Sequence, residues 1–411
     1  MHLIFILLTL VLTPSYAAIT LKDAFQSARL NMESLKRAEH EIERRRAVKD
    51  QAQGVVLPTV NGVGSYLRID PPSGARVNSA FTLTRQYNYA IRMQQPLIRG
   101  GVYEALQMRK EDVLLAEFQK NATELSLYQL VIAAYYNLYN ARIDLKSLEE
   151  FIKISQDRVK ELRSRASVGR SRKGELVQAE AQLLTAEAQL QQGKVNLEQA
   201  ENNFEFYTKI KPDDLADFGD LPSELPSLAE FQEKIKSRPD VLASRQAVNV
   251  ADRQIGVSKG GHYPSLDLIG NYYLDRTGVL ASSKWDVGVQ VTVPFFQGGT
   301  VESQVRQSVE AKRIAELNSS ETLRTAQRDT SILYQNYLQI YAELKTLKQA
   351  LEKAEQSYKL NIQDYRYGQV TNLDVIQSLN LYIETKRAFN NLFAMAHMTY
   401  KNLEASIGVL P

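Results

Sequence analysis

Three short punctuation marks occur twice in this chain, in the same order and at nearly constant spacing. Leu57-Pro58-Thr59-Val60 returns as Tyr263-Pro264-Ser265-Leu266. Gln95-Pro96-Leu97-Ile98-Arg99-Gly100-Gly101 returns as Val293-Pro294-Phe295-Phe296-Gln297-Gly298-Gly299, and Val168-Gly169-Arg170 as Tyr367-Gly368-Gln369. One match is within the reach of chance; three in register identify a duplicated structural unit. The copies, residues 18–210 and 228–411, are joined by 211–227, where Pro212, Pro222 and Pro226 forbid a continuous helix.

Each copy reads helix, strand, strand, very long helix, shorter helix. The first runs Leu21–Gln53, Thr59–Arg68, Gln86–Gln95, Val102–Ser167 and Gly174–Lys209. The second runs Leu228–Lys259, Ser265–Leu274, Trp285–Val293, Thr300–Arg366 and Leu373–Ile407. Each long helix would measure about 100 Å at 1.5 Å per residue, too long for a globular helix, so these are coiled-coil columns. Two shorter helices placed end to end match one long one, which predicts a rod of four columns, two continuous and two stacked. Leu176, Leu183, Leu190, Leu197 and Phe204 keep a seven-residue period, with Ala179, Ala186, Gly193, Ala200 and Tyr207 three places on; Val375, Tyr382, Phe389, Ala396 and Leu403 hold the same phase in the second copy. A soluble antiparallel coiled coil accounts for these helices equally well, but not for the strands.

Trp285, Val287, Val289, Val291 and Val293 alternate with Asp286, Gly288, Gln290 and Thr292, so one face is apolar and the other small or polar. Tyr87, Tyr89, Ile91 and Met93 form a second such face, and Leu266, Leu268, Tyr272 and Leu274 a third. Runs of about ten residues suit a tilted strand crossing a bilayer. Four strands neither close a barrel nor bury a sandwich, so the barrel must be shared between chains, with residues 69–85 and 275–284 as outer loops. Pro58, Pro96, Pro264 and Pro294 are expected at the membrane edge, where helix becomes strand.

An apolar run from Leu3 to Leu12, then Pro14 and Ser15-Tyr16-Ala17, reads as a secretory signal spanning residues 1–17, with no Cys at the cut for lipid attachment. Beyond it no stretch is long and apolar enough to cross a bilayer as a helix. Lys+Arg 50 against Asp+Glu 47 offers no footprint for a nucleic acid. Zero cysteines exclude disulfides and thiolate chemistry. Enzyme readings fail one by one. His40-Glu41-Ile42-Glu43-Arg44 lacks a second metalloprotease histidine, Gly169 to Gly174 lacks the Lys-Ser/Thr of a phosphate loop, and Gly62-Val63-Gly64 lacks a third glycine at Leu67. The four histidines are scattered, so neither a metal site nor a cofactor is expected.

The duplicated unit, the Pro-x-x-x-Gly-Gly exits, Arg238-Pro239-Asp240 and the tips in which an acid follows a glycine by six places together resemble the TolC-like outer-membrane efflux proteins over essentially the whole chain. The resemblance implies a mainly α-helical homotrimer: a twelve-stranded transmembrane β-barrel in the outer membrane of a Gram-negative bacterium, continuous with an α-helical periplasmic tunnel. It implies an exit duct for efflux or type I secretion, completed by a periplasmic adaptor (membrane fusion protein) and an inner-membrane transporter of RND, ABC or MFS type. Residues 211–227 would contribute to an equatorial belt. A non-conducting coiled coil anchored at the outer membrane is the other reading.

The resemblance also implies sites. Val168, Gly169, Arg170, Tyr367, Gly368 and Gln369 would be the adaptor-docking tips, beside a basic cluster of Arg163, Arg165, Arg170, Arg172 and Lys173. Pro58, Pro96, Gly100, Gly101, Pro264, Pro294, Gly298 and Gly299 would mark the strand–helix boundary. Glu175, Tyr365, Asp374 and Gln377 would form the periplasmic constriction, with Tyr365 bonded to Glu175 as a latch and Asp374 repeated around a threefold axis. Gln377 stands where the family has a second acid and Val370 where it has a basic latch residue, so a weaker lock is expected. The plainer account of Glu175 and Asp374 is that acids favour the first turn of a helix.

Overall fold

The computed structural model of the protein describes residues 18–70, 83–212, 214–216 and 218–411; the expected signal sequence and most of the first outer loop lie outside the described residues. Among these residues eight α-helices and four strands follow one another as α1 (Leu21–Asn31), α2 (Glu33–Gly54), β1 (Thr59–Arg68), β2 (Arg85–Ile98), α3 (Val102–Ser167), α4 (Lys173–Thr208), α5 (Leu228–Ile235), α6 (Pro239–Lys259), β3 (Ser265–Arg276), β4 (Trp285–Thr292), α7 (Thr300–Arg366) and α8 (Asn372–Ala405). A 3-10 turn, Gly260–His262, ends α6. The chain forms two compact units, neither of which is a repeat: both copies contribute to each. Among the described residues no helix is long and apolar enough to cross a membrane.

Two helices expected to be continuous are broken. Pro239 opens α6 at its first position, and Arg238 before it is extended (φ −63°, ψ 136°), because the ring of a proline clashes with a helical predecessor. The α1–α2 break at Met32 has no proline. There the Asn31 side chain donates back to the Ser27 carbonyl at 3.0 Å, Met32 turns extended, and its side chain is buried in the apolar cluster with Phe25, Ala28 and Leu35. Pro96, expected at a strand edge, lies inside β2. The ladder tolerates it because the pairing with β3 slips between Pro96 and Ile98, a bulge that excuses the missing N–H.

The first unit comprises residues 18–35, 124–235 and 327–411 among those described. Its core gathers Phe25, Tyr128, Val131, Ile132, Tyr135, Leu138 and Phe204, all nearly inaccessible. On α4 the small heptad residues Ala179, Ala186 and Gly193 face inward, as does Phe204, and a Cβ on Gly193 would stand 2.8 Å from Leu148. The inter-repeat segment is bound to this unit. Ile19 pairs with Leu215, Arg142 donates to the Pro212 carbonyl at 2.7 Å and Tyr337 to that of Pro222 at 2.7 Å, while Phe218 sits among Tyr136, Tyr139, Phe393 and His397.

The second unit comprises 36–70, 83–123 and 236–326 among the described residues and carries the sheet. The strand order is β1-β2-β3-β4, every neighbour antiparallel, which leaves β1 and β4 as edges. No residue of β4 is covered on either face. Ion pairs link the helices beside the sheet, Arg45 to Asp112 at 2.7 Å, Arg253 to Glu104 at 3.2 Å and Lys312 to Asp252 at 2.9 Å, alongside buried Met108, Ala116 and Val241.

Candidate functional site: the helix tips

Both helix-to-helix tips close by the same device. After α3, Arg170 donates its N–H to the Arg165 carbonyl at 2.8 Å and Gly169 to that of Ala166 at 3.1 Å. After α7, Gln369 bonds Asp364 at 2.9 Å and Gly368 bonds Tyr365 at 3.1 Å. This six-to-one pattern needs a left-handed residue just past the helix, supplied by Gly169 (φ +73°) and Gly368 (φ +74°). Around each of these glycines a Cβ would find nothing within 4 Å, and Val168 and Tyr367 beside them project into solvent, 66% and 80% exposed. Of the basic cluster, Arg163 pairs with Glu180 and Arg165 with Glu161, both at 2.8 Å.

Beneath the turns the two tips are tied together. The Tyr365 hydroxyl donates to Glu175 Oε2 at 3.3 Å, and Ser171 Oγ donates to the same oxygen at 2.7 Å. Burial holds the Tyr365 phenol above its ordinary pKa, against the pull of Arg158 beside it, so it remains a donor at neutral pH. Arg158 is the hub. Its Nε and Nη2 donate to Asn372 Oδ1 at 3.0 and 2.8 Å, its Nη1 to Glu161 at 2.9 Å, and its guanidinium lies 3.9 Å from the centre of the Tyr365 ring. Asn372, wholly buried, turns its amide to the Glu175 carbonyl at 3.4 Å. Sequence reading missed Arg158 and Asn372, which lie 214 residues apart in positions no spacing rule connects.

Asp374 is engaged elsewhere. With Thr371 it forms a capping box at the start of α8: its Oδ2 accepts from the Thr371 N–H at 2.8 Å and hydroxyl at 2.6 Å, while its own N–H donates to Thr371 Oγ1. Those bonds hold its carboxyl below the usual range, so it is ionised. Gln377 is exposed one turn on. Val370, read above as a departure from the family pattern, packs into the apolar cluster of Val159, Leu162, Ala179 and Val375 under the tip.

At the boundary between strands and helices, Pro58, Pro264 and Pro294 flank their strands, whereas Pro96 is within one. Gly100 and Gly101 are pressed against the end of α6: a Cβ on Gly100 would stand 2.1 Å from the Gly260 carbonyl oxygen, and one on Gly101 (φ +78°) 2.7 Å from that of Val257. Gly298 (φ +60°) and Gly299 (φ +78°) stand in open space at the matching place; Gly299 shares the left-handed backbone of Gly101, whereas Gly100 lacks that of Gly298.

Comparison with known proteins agrees with this architecture. The toluene efflux pump outer membrane protein TtgC of Pseudomonas putida is 21% identical over 374 residues, 87% of this chain and 76% of that one. The outer membrane protein TolC of Escherichia coli is 26% identical over 204 residues, 45% of this chain and 41% of that one. Among solved structures, the Campylobacter jejuni CmeC outer membrane channel superposes with a TM-score of 0.82 at 20% identity, covering 94% of this chain and 85% of that one. The Vibrio cholerae outer membrane protein VceC does so at 0.81 and 19%, covering 94% and 96%. The outer membrane efflux protein family matches residues 24–208 and 231–409, and the chain belongs to that family.

Proposed function

We propose that the chain is one subunit of a trimeric outer-membrane exit duct, which passively conducts substrates handed over by an inner-membrane transporter and a periplasmic adaptor. The observation that carries this is the sheet: four antiparallel strands with both edges unpaired and an apolar face of Trp285, Val287, Val289 and Val291, each at least 60% exposed. Open edges of this kind are satisfied in a bilayer only by closure into a barrel. The helical tips would lie in the periplasm, with Val168–Arg170 and Tyr367–Gln369 as the adaptor's docking points. Tyr365, Glu175 and Arg158 would hold the mouth shut, and Asp374 would set a carboxylate at the constriction beside Gln377. Relatives span cargo classes: one is a toluene efflux pump protein and another, PrtF of Dickeya chrysanthemi, a proteases secretion protein. The duct reading is tested by inserting purified oligomer into planar bilayers. Discrete unitary conductance is expected, and its absence from folded, membrane-inserted protein would leave the non-conducting structural role.

A further inference from the structure

One row of the sheet is polar from edge to edge. Asn61 of β1, Arg92 of β2, Asn271 of β3 and Asp286 of β4 stand directly opposite one another across the three ladders. Side chains alternate along a strand, so this row lies on the face away from Ile91, Tyr272 and Trp285, the row next to it. Three of its members are bonded in sequence: Arg92 Nε donates to Asn271 Oδ1 at 2.9 Å, and the Asn271 amide donates to Asp286 Oδ1 at 2.8 Å. The Tyr273 hydroxyl donates to the other Asp286 oxygen at 2.7 Å. Arg276 Nη1 stands 3.9 Å from that oxygen, and its guanidinium lies 3.8 Å from the centre of the Tyr273 ring.

Within this network the charges do not cancel. Asp286 is engaged by Asn271, Tyr273 and Arg276, so one acid offsets one cation. Arg92 gives its Nε to a neutral amide, and among the described residues its Nη1 and Nη2 have no acceptor and no ion pair includes it. Lys284, two places before Asp286, adds to the positive side, while Asp267 lower on the same strand as Asn271 is paired with Arg99 at 3.5 Å. A row that served only to fix register would be satisfied by amides alone. The duplication does not repeat the arrangement either: the offset that carries Pro96 onto Pro294 carries Arg92 onto Gln290, and it matches Asp286 to Asn88. The cation is set once per chain.

We propose that Arg92 determines specificity in the duct: the polar row lines the barrel's lumen, and its arginine, with Asn61 opposite, favours anionic groups such as carboxylates and phosphates on passing solutes. This rests on the barrel reading above, under which threefold symmetry places three such cations around one axis, the arrangement by which charged rings select ions of opposite sign.

The chain has no cysteine, so a single introduced thiol reports the local field. Asn61→Cys places it about 5 Å from Arg92 at Cβ, and Val289→Cys places one on the opposite face. In outer membranes, and relative to the rates with a free thiol, Asn61→Cys should react faster with anionic sulfonatoethyl methanethiosulfonate than with its cationic trimethylammonium counterpart. Val289→Cys should react with neither. Adding Arg92→Gln should lower the anion-to-cation rate ratio at position 61 about tenfold, whereas Arg92→Lys should keep it within about threefold, because a charge at this range acts through its sign. High salt should flatten the difference. A ratio unmoved by Arg92→Gln, or a thiol at 61 that neither reagent reaches, overturns the proposal. If the glutamine variant fails to assemble, Asp286→Asn decides: relieving Arg276 of its acid should raise the ratio, and a ratio that stays or falls overturns the proposal equally. Failure of the duct reading shows separately, as folded, inserted protein without unitary conductance.

Discussion

The Tyr365 hydroxyl reaches the Glu175 carboxylate at 3.3 Å across 190 residues of sequence, and the face of its ring carries the Arg158 guanidinium. One side chain therefore bonds at its tip and stacks at its face. Tyr365→Phe removes only the tip bond, worth about 1 kcal/mol. Combined with Glu175→Ala it should raise unitary conductance in planar bilayers. Arg158→Gln strips the bonds to Asn372 and Glu161 and the ring contact together, about 2–4 kcal/mol, and should open the mouth further than the double variant. Conductance equal to wild type in all three would show that the mouth is held elsewhere.

Asp374 invites a test that separates its two duties. Asp374→Ala should lower both cation selectivity and α8 stability, because it removes the charge and one half of the capping box together. Thr371→Ala removes the cap and leaves the carboxylate, so it should match the stability loss while keeping selectivity. If reversal potentials for the two variants coincide, Asp374 is a helix cap alone.

The faces of β4 are separable by single charges. Val289→Arg should cost about 2–4 kcal/mol of barrel stability if the side chain meets hydrocarbon, whereas Gln290→Arg should be mild. Heat-dissociation of the oligomer in detergent measures both, and equal losses would assign the faces wrongly.

Gly169 and Gly368 hold left-handed backbone with open space around an added Cβ, so a side chain there meets backbone strain of about 1–2 kcal/mol. Gly169→Leu or Gly368→Leu should therefore leave trimers intact while reducing adaptor recovery in pull-downs. Undiminished recovery would place docking on another surface.

His397 gives the protein an acid limb. It is packed among Tyr136, Phe218 and Phe393, with Lys401 on the same helix, and burial first, then Lys401, lowers its pKa from 6.5 to about 4. A depressed folded-state value contributes stability that is full above about pH 6.5 and is lost as pH falls through about 4, on the order of 3 kcal/mol in all. His397→Phe should flatten the fall in melting temperature between pH 6.5 and 4. An unchanged slope would assign the acid limb to other groups.

The long helices and strand centres were legible because each rests on a period: seven for the columns, two for the sheet. The bounds of α3, α7 and β1 coincide with those read from sequence. What escaped was set by contacts rather than by period. No proline or glycine marks Met32 as a break; its extended backbone goes with the Asn31 bond back to Ser27 and with burial against Phe25 and Leu35. Pro96 reads as a stop, but a bulge absorbs it. Tyr365 and Glu175 came from resemblance, while Arg158 was not singled out, although its side chain is almost covered, 10% exposed. A buried cation is recognised only when its partners are in view.

The sheet ends in two unlike edges, β1 and β4, and that asymmetry has a genetic consequence. If copies join edge to edge as proposed, a subunit damaged at β1 alone still presents an intact β4 and would enter a growing ring and stop it from closing. Such an allele, made beside wild type, should poison mixed assemblies and behave as dominant, whereas a subunit spoiled at both edges is excluded and recessive.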